Sequence, residues 1–242
     1  REKGIKRSLI ETAANIQKEA YADAIDSDSL LDKAERSIFE IAQKKYSGQT
    51  LTLNEILNET FVRIDDLHDR KERLTGLSTG FYDIDDATCG LQSSELIIIA
   101  ARPSMGKTSM ALNILDNVGV KLNKAAVLFS LEMSAQQIAQ NLLCSHAKID
   151  AYKMRRGKLE DEEWSKLPMA MGTLSDAPIF IDDTPGLTIL ELRAKARRLK
   201  AQNDIQLIIV DYLQLLESQR GENRQQEISI ISRGLKSLAR EL

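Results

Sequence analysis

The most specific chemical signal in the chain is the run Ala101-Arg102-Pro103-Ser104-Met105-Gly106-Lys107-Thr108, followed by Ser109. It succeeds an apolar segment, Leu96 to Ala101, and opens a stretch of helical composition. A loop joining a strand to a helix is suited to anions, because the first backbone N–H groups of a helix have no intrahelical partner. Gly106 lets the backbone approach closely, the Lys107 ammonium can reach β- and γ-phosphates, and the Thr108 hydroxyl can hold Mg²⁺. The pattern departs from the usual Walker A phosphate loop in one respect, an alanine at its first position. With average residue usage, a chance match to [AG]xxxxGK[ST] in a chain of this length is roughly one in fifty. The strand-loop-helix setting favours phosphate binding further.

Carboxylates at strand ends are the natural companions of such a loop. Asp211 closes the apolar run Leu207-Ile-Ile-Val210, where a Walker B group would order the Mg²⁺ shell. An isolated aspartate in that place is more often a turn or cap residue, but beside a phosphate loop the metal role is the better reading. Glu132 ends a second apolar run, Val127-Leu-Phe-Ser-Leu131. It either faces the γ-phosphate and polarises the attacking water or caps the helix that starts at Ser134, and the residues alone leave these equal. Asp182 and Asp183 stand in a similar place and are not ranked.

Basic residues gather at Lys153–Lys158, Arg193–Lys200 and Arg220–Arg224. The first reads as a surface loop. The second alternates with Leu192, Ala194, Ala196 and Leu199 and reads as a solvated helix face. The third, Gln219-Arg220-Gly221-Glu222-Asn223-Arg224, reads as a loop that could meet DNA phosphates through N–H groups and arginine; in isolation it is an ordinary loop.

The elements that must hold these groups fall into two kinds. Residues 1–70 contain no proline and have helical periodicity. Ile5, Leu9, Ile16, Ala20 and Ala24 mark one face of a first helix, Asp26 to Ser29 a turn, and Leu30, Leu31, Ala34, Ile38, Ile41 and Ala42 a second helix, which together make a helical hairpin. Ser47-Gly48 breaks it. A third helix begins at Thr52, with Glu55 completing a capping box. Its apolar face is Leu53, Ile56, Leu57, Phe61, Ile64 and Leu67, which lies either on its own domain or on a neighbouring subunit. From Thr75 onward, short β-rich runs alternate with helical stretches. Strands are expected at Leu96–Ala101, Ala126–Leu131, Ile179–Asp182 and Leu207–Asp211, with helices near 107–118, 134–147, 160–175 and 189–202. Ser134 with Gln137 and Thr188 with Glu191 are capping boxes, and Pro168 is expected to kink or split its helix. Apolar strands alternating with helices indicate an α/β fold with a parallel sheet covered on both faces. The divisions are 1–47 for the hairpin, 48–73 for the linker helix and 74–242 for the ATPase domain.

The net charge of −3 excludes coating of nucleic acid by bulk positive charge. Cys89 and Cys144 lie far apart, outside any metal-ligand spacing, which indicates a reducing, cytoplasmic compartment. His68 and His146 form no cluster and read as surface or packing residues. The longest purely apolar run, Leu96–Ala101, is too short to cross a bilayer.

Several motifs together resemble the bacterial replicative DNA helicases of the DnaB type: Ala100-Ala-Arg-Pro-Ser-Met-Gly-Lys-Thr108, Phe129-Ser-Leu-Glu-Met133, Ile208-Ile-Val-Asp-Tyr-Leu-Gln-Leu215 and Arg224-Gln-Gln-Glu227. Thr75 to Gly80 and Ala177 to Thr188 belong to the same likeness, which covers essentially the whole chain, and the alanine opening the phosphate loop is what that family looks like. The resemblance implies a RecA-like motor in a homo-hexameric ring that moves along single-stranded DNA on ATP hydrolysis. It assigns phosphate and Mg²⁺ to Lys107 and Thr108, water activation to Glu132 and the metal shell to Asp211. It makes Arg220, Gly221, Glu222 and Arg224 candidate DNA contacts and favours docking of the linker helix on the adjacent subunit. Primase and a helicase loader follow as partners from the resemblance alone. Other RecA-like ATPases, such as recombinases or clock-type ATPases, would share the phosphate loop but not the hairpin or the Asp182-Asp183-Thr-Pro-Gly186 segment. A scaffold whose own site stays idle is the non-enzymatic alternative.

By the same resemblance, a globular head before the hairpin and the strands after Leu242, with a polar sensor and an arginine finger, lie outside these 242 residues. An arginine finger contributes a rate factor of ~10³ or more. The 242 residues alone are therefore expected to bind nucleotide weakly or moderately and hydrolyse it slowly. Steady-state turnover close to that of a complete helicase would contradict this.

Overall fold

The computed structural model describes residues 2–22, 30, 33–34, 37, 52–54, 57–58, 60–61, 74–217 and 224–242. The chain divides into two compact units, Arg1–Asp69 and Arg70–Leu242. In the first, α1 runs from Glu2 to Ala22. Residues 30, 33, 34 and 37 are also helical, and Lys33 Nζ donates to Glu19 Oε1 at 2.6 Å. Thr12, Asn15, Ile16 and Glu19 line a cleft with Leu30, Lys33, Ala34 and Ser37. The turn Asp26–Ser29, the break Ser47-Gly48 and Ala24, Leu31, Ile38, Ile41 and Ala42 lie outside the described residues. Residues 53, 54, 57, 58, 60 and 61 are helical, and Leu53, Leu57 and Phe61 are 70%, 55% and 71% exposed. Glu55, Ile56, Ile64, Leu67 and His68 lie outside the described residues.

The second unit is α/β. A three-stranded parallel sheet has the order β2-β1-β3, with β1 at Ala126–Ser130, β2 at Ile179–Asp182 and β3 at Leu207–Asp211. Val127 pairs with Phe180 on one side and Ile208 on the other. Successive side chains on a strand point to opposite faces, and the packing follows that rule. Val127 and Phe129 belong to a core with Leu192, Ala196, Ile231, Leu235 and Leu238. Ala126 and Leu128 belong to another with Leu112, Leu115, Val118, Ile138 and Leu142. One face is thus covered by α7 (Ile189–Asn203) and α8 (Arg224–Glu241), the other by α3 (Lys107–Asp116) and α4 (Ala135–Ala147). Among the described residues of this unit, the other α-helices are α2 (Tyr82–Thr88), α5 (Ala151–Arg155) and α6 (Asp161–Asp176), with a π-helical segment at Asn117–Lys121 and a 3₁₀ turn at Leu213–Leu215. Among the described residues, no helix is long and apolar enough to cross a membrane.

Five expectations need correction. Leu96–Ala101 is not a strand: it is irregular, with Ile97, Ile98 and Ile99 50%, 66% and 43% exposed. A strand exists only through its pairing, and the sheet places no described strand beside this run. The helix around Pro168 is not split but continues from Asp161 to Asp176. The Lys153–Lys158 cluster is a loop only in its second half: Lys153 and Arg155 lie in α5, which Asp150 caps by accepting from the Tyr152 N–H, Arg156 and Gly157 follow as a turn, and Lys153 pairs with Glu160 and Glu163. The Arg193–Lys200 face is not simply solvated: Arg193 and Arg197 converge on Glu241 at the end of α8, and Lys195 binds Asp182. Arg224 opens α8 and so is not a loop residue. The capping boxes at Ser134 and Thr188 form as expected, with a further one at Glu160 and Glu163.

Before the phosphate loop, Asp85 organises the Ser78-Thr79-Gly80 turn. Its buried carboxylate accepts from the hydroxyls of Ser78 (2.6 Å) and Thr79 (2.7 Å) and from the Thr79 N–H (2.8 Å). Burial alone would raise Asp85, but the Ser78 hydroxyl and the donors of Thr79 and Gly80 hold it below its ordinary value. A depressed folded pKa stabilises the protein above the ordinary carboxylate range, and the contribution is lost as pH falls through the lower folded value. Asp85→Ala is expected to lower stability by ~2 kcal/mol in urea unfolding at neutral pH, because several buried donors lose their acceptor. The gap from wild type should narrow in strong acid.

Candidate nucleotide site and comparison with known proteins

The phosphate loop is set by local backbone preference. Ser104 and Gly106 both have positive φ, 63° and 86°, and Gly106 is the residue before α3. A Cβ on Gly106 would meet nothing within 4 Å, so glycine is needed there for its conformation and to leave the approach to the loop open. The Met110 N–H donates to the Gly106 carbonyl at 2.9 Å, the first full turn of α3. Arg102, Pro103, Ser104, Met105 and Ser109 are exposed, and Lys107 and Thr108 are partly buried. The π-helical segment Asn117–Lys121 that follows α3 is anchored where Gly119 packs against Ile179 so closely that a Cβ would lie 2.3 Å from Ile179 Cγ1.

Tertiary packing brings Asp211 to this loop. The Thr108 hydroxyl donates to Asp211 Oδ2 at 2.7 Å across 103 residues of sequence. Lys107 Nζ stands 5.0 Å from the centre of the Tyr212 ring, a cation–π distance. Asp211 is buried, and its backbone carbonyl accepts from the Leu131 N–H at 2.7 Å. That bond places the turn after β1, which carries Glu132, beside the phosphate loop. Ser130 closes the turn: its hydroxyl donates to the Met133 carbonyl at 2.7 Å and accepts from the Met133 N–H at 3.3 Å.

The start of α4 is capped by Ser134 and Gln137, and the Ala135 N–H donates to Asp183 Oδ2 at 2.7 Å. Glu132 takes no part in that cap, is exposed, and makes no hydrogen bond or ion pair with any described residue. No sequence signal ties Asp183 to a backbone group 48 residues earlier. Its neighbour Asp182 binds Lys195 (2.7 Å) and the Thr184 hydroxyl (2.6 Å). Burial would raise Asp182, yet Lys195 and Thr184 hold it below its ordinary value.

Of the candidate DNA contacts, Arg220, Gly221 and Glu222 lie outside the described residues. Arg224 donates to Glu227 Oε2 at 3.1 Å and to the Gln214 carbonyl. His146 is a packing residue, with Nδ1 2.9 Å from Asp116 Oδ1.

The donor set suits Mg-nucleotide: free helix N–H groups and an ammonium for phosphate, and a hydroxyl beside a carboxylate for a hard cation that prefers oxygen ligands.

Residues 76–242 match the model of the DnaB-like helicase C-terminal domain. The chain belongs to the DnaB-like helicase family. It is 50% identical to the replicative DNA helicase DnaB of Geobacillus stearothermophilus and 47% identical to the replicative DNA helicase DnaC of Bacillus subtilis. In each case the match covers 100% of this chain and 54% of the relative, so the chain spans about half the length of these proteins. Among solved structures, a DnaB-like replicative helicase described with its primase interactions superposes with a TM-score of 0.78 at 31% identity, over 99% of this chain and 55% of that one. A second solved structure, of an ATPase domain, gives 0.72 at 34% identity, over 78% and 67%. The fold of this DnaB-like chain is therefore that of the RecA-like helicase motors.

Asp211→Ala removes the Thr108 partner but keeps the backbone carbonyl that holds Leu131. It is expected to weaken nucleotide binding in Mg²⁺ by roughly tenfold or more while leaving binding in EDTA unchanged. Titration with a fluorescent ATP analogue under both conditions measures this.

Proposed function

We propose that the chain is the linker and the first part of the motor of a ring-forming, ATP-driven replicative DNA helicase acting in the cytoplasm. The observation that carries this reading is the meeting of Thr108 and Asp211 at 2.7 Å, beneath an open phosphate loop, in a member of the DnaB-like family. Its substrates are ATP and DNA, the single strand being the track and the duplex at the fork the obstacle.

Each residue has a part in ATP turnover. The N–H groups at the head of α3 and the Lys107 ammonium bind the phosphates, with Arg102 to Ser109 forming the cradle. Thr108 and Asp211 would hold Mg²⁺. When bound, that ion offsets phosphate charge and supports the leaving group. Glu132 accepts a proton from the attacking water or orients it; its freedom from any cap supports this role. Hydrolysis is coupled to movement through the segment after β3, where Arg220, Gly221, Glu222 and Arg224 contact single-stranded DNA. For Arg224 that means exchanging the Glu227 carboxylate for a phosphate.

The ring is a homo-hexamer built through the linker helix. The exposed stripe Leu53, Leu57 and Phe61 supports its burial against another copy, since contiguous exposed apolar surface marks an interaction site. Primase and a helicase loader are its partners, the first supported by the primase interactions of a structural relative.

The test is unwinding of a forked duplex with Mg-ATP by the full-length gene product, beside its Lys107→Ala variant. Unwinding that disappears in the variant is the expected result. ATP hydrolysis without unwinding would redirect the assignment to a RecA-like ATPase of another function.

A further inference from the structure

The short connection from β1 to α4 carries Glu132, and three anchors hold it. Two come from its immediate surroundings: the Asp211 carbonyl on the Leu131 N–H, and the Ser130 hydroxyl on Met133. The third crosses from the end of β2, where Asp183 Oδ2 accepts from the Ala135 N–H at 2.7 Å. The helix does not need that bond to begin. Ser134 and Gln137 already satisfy each other's backbone donors as a complete capping box, so the Asp183 bond acts as a tether between two strand ends.

Asp183 is itself held in place. Asp182 accepts from the Thr184 N–H at 3.0 Å, the Thr184 hydroxyl at 2.6 Å and Lys195 Nζ at 2.7 Å. Lys195 also donates to Thr184 Oγ1 at 2.6 Å. This closed triangle ties the residues after β2 to α7, so that Asp183 is presented from a rigid strand end. Its negative charge at the positive end of α4 adds to the bond.

We propose that Asp183 is a positioning residue for Glu132: by tethering the first N–H of α4 to the end of β2, it fixes the turn from which the Glu132 carboxylate is presented. The inference rests on the reading of Glu132 as the group that activates water. A base displaced by about an ångström can lose much of its effect, whereas phosphate binding depends on α3 and is untouched.

The experiment compares ATP turnover and Mg-ATP affinity in the full-length gene product for wild type, Glu132→Gln, Asp183→Ala, Asp183→Asn and the double variant Glu132→Gln/Asp183→Ala. Glu132→Gln is expected to lower kcat by ~10²-fold or more. Asp183→Ala should lower kcat about tenfold, with Mg-ATP Kd unchanged. Asp183→Asn, which keeps an oxygen for the Ala135 N–H, should recover most of the loss. In the Glu132→Gln background, Asp183→Ala should cost less than about twofold, because residues acting as a unit are not additive. Wild-type kcat in Asp183→Ala, an equal loss in both backgrounds, a matching loss of affinity, or no recovery by asparagine would each overturn the tether. Unchanged kcat in Glu132→Gln would instead remove the underlying reading of Glu132.

Discussion

Asp211 joins the parts of the site by using two different groups. Its carboxylate takes the Thr108 hydroxyl, and its backbone carbonyl takes the Leu131 N–H. The first bond ties the start of α3 to the end of β3. The second ties the turn bearing Glu132 to the same strand end. Because Asp211 is buried, leaving either of its bonds unmade is costly. The phosphate loop and the candidate base are thereby held in one frame.

That frame rests on the alternation of β1. Val127 and Phe129 enter one core and Ala126 and Leu128 the other, so the central strand is gripped from both faces. A one-residue slip would exchange the two sets and carry Glu132, Asp182 and Asp211 out of alignment together. The close seat of Gly119 against Ile179 fixes the far end of the helical layer that begins at the phosphate loop. The carboxyl edge of the sheet is therefore the natural place for chemistry, as in other open parallel sheets.

Much of the charge in this unit is structural. Arg193 and Arg197 meet Glu241, Lys195 meets Asp182, and Lys153 meets Glu160 and Glu163. As a sequence, the α7 run resembles a solvated basic face, since a linear pattern cannot reveal that the end of α8 lies across it. A chain with a balanced composition can thus use its basic residues to join elements rather than to attract a polyanion.

The phosphate loop, the three paired strands, the covering helices α3, α4 and α7 and the capping boxes at Ser134 and Thr188 were legible because each depends on residues close in sequence: periodicity, a Gly-Lys-Thr run and a Ser or Thr three residues before Gln or Glu. The helix α8, which covers the sheet beside α7, is not among the expected helices. Asp211 was legible as well, through its place at the end of an apolar run. The apolar segment Leu96–Ala101 has the composition of a strand but no described strand beside it, since pairing is a property of neighbours and not of composition. That Glu132 takes no part in the cap of α4, and that Asp183 reaches across to that helix, were decided only by the tertiary structure. The second turns on a hydrogen bond between groups 48 residues apart, and local sequence holds no trace of which distant acceptor will arrive.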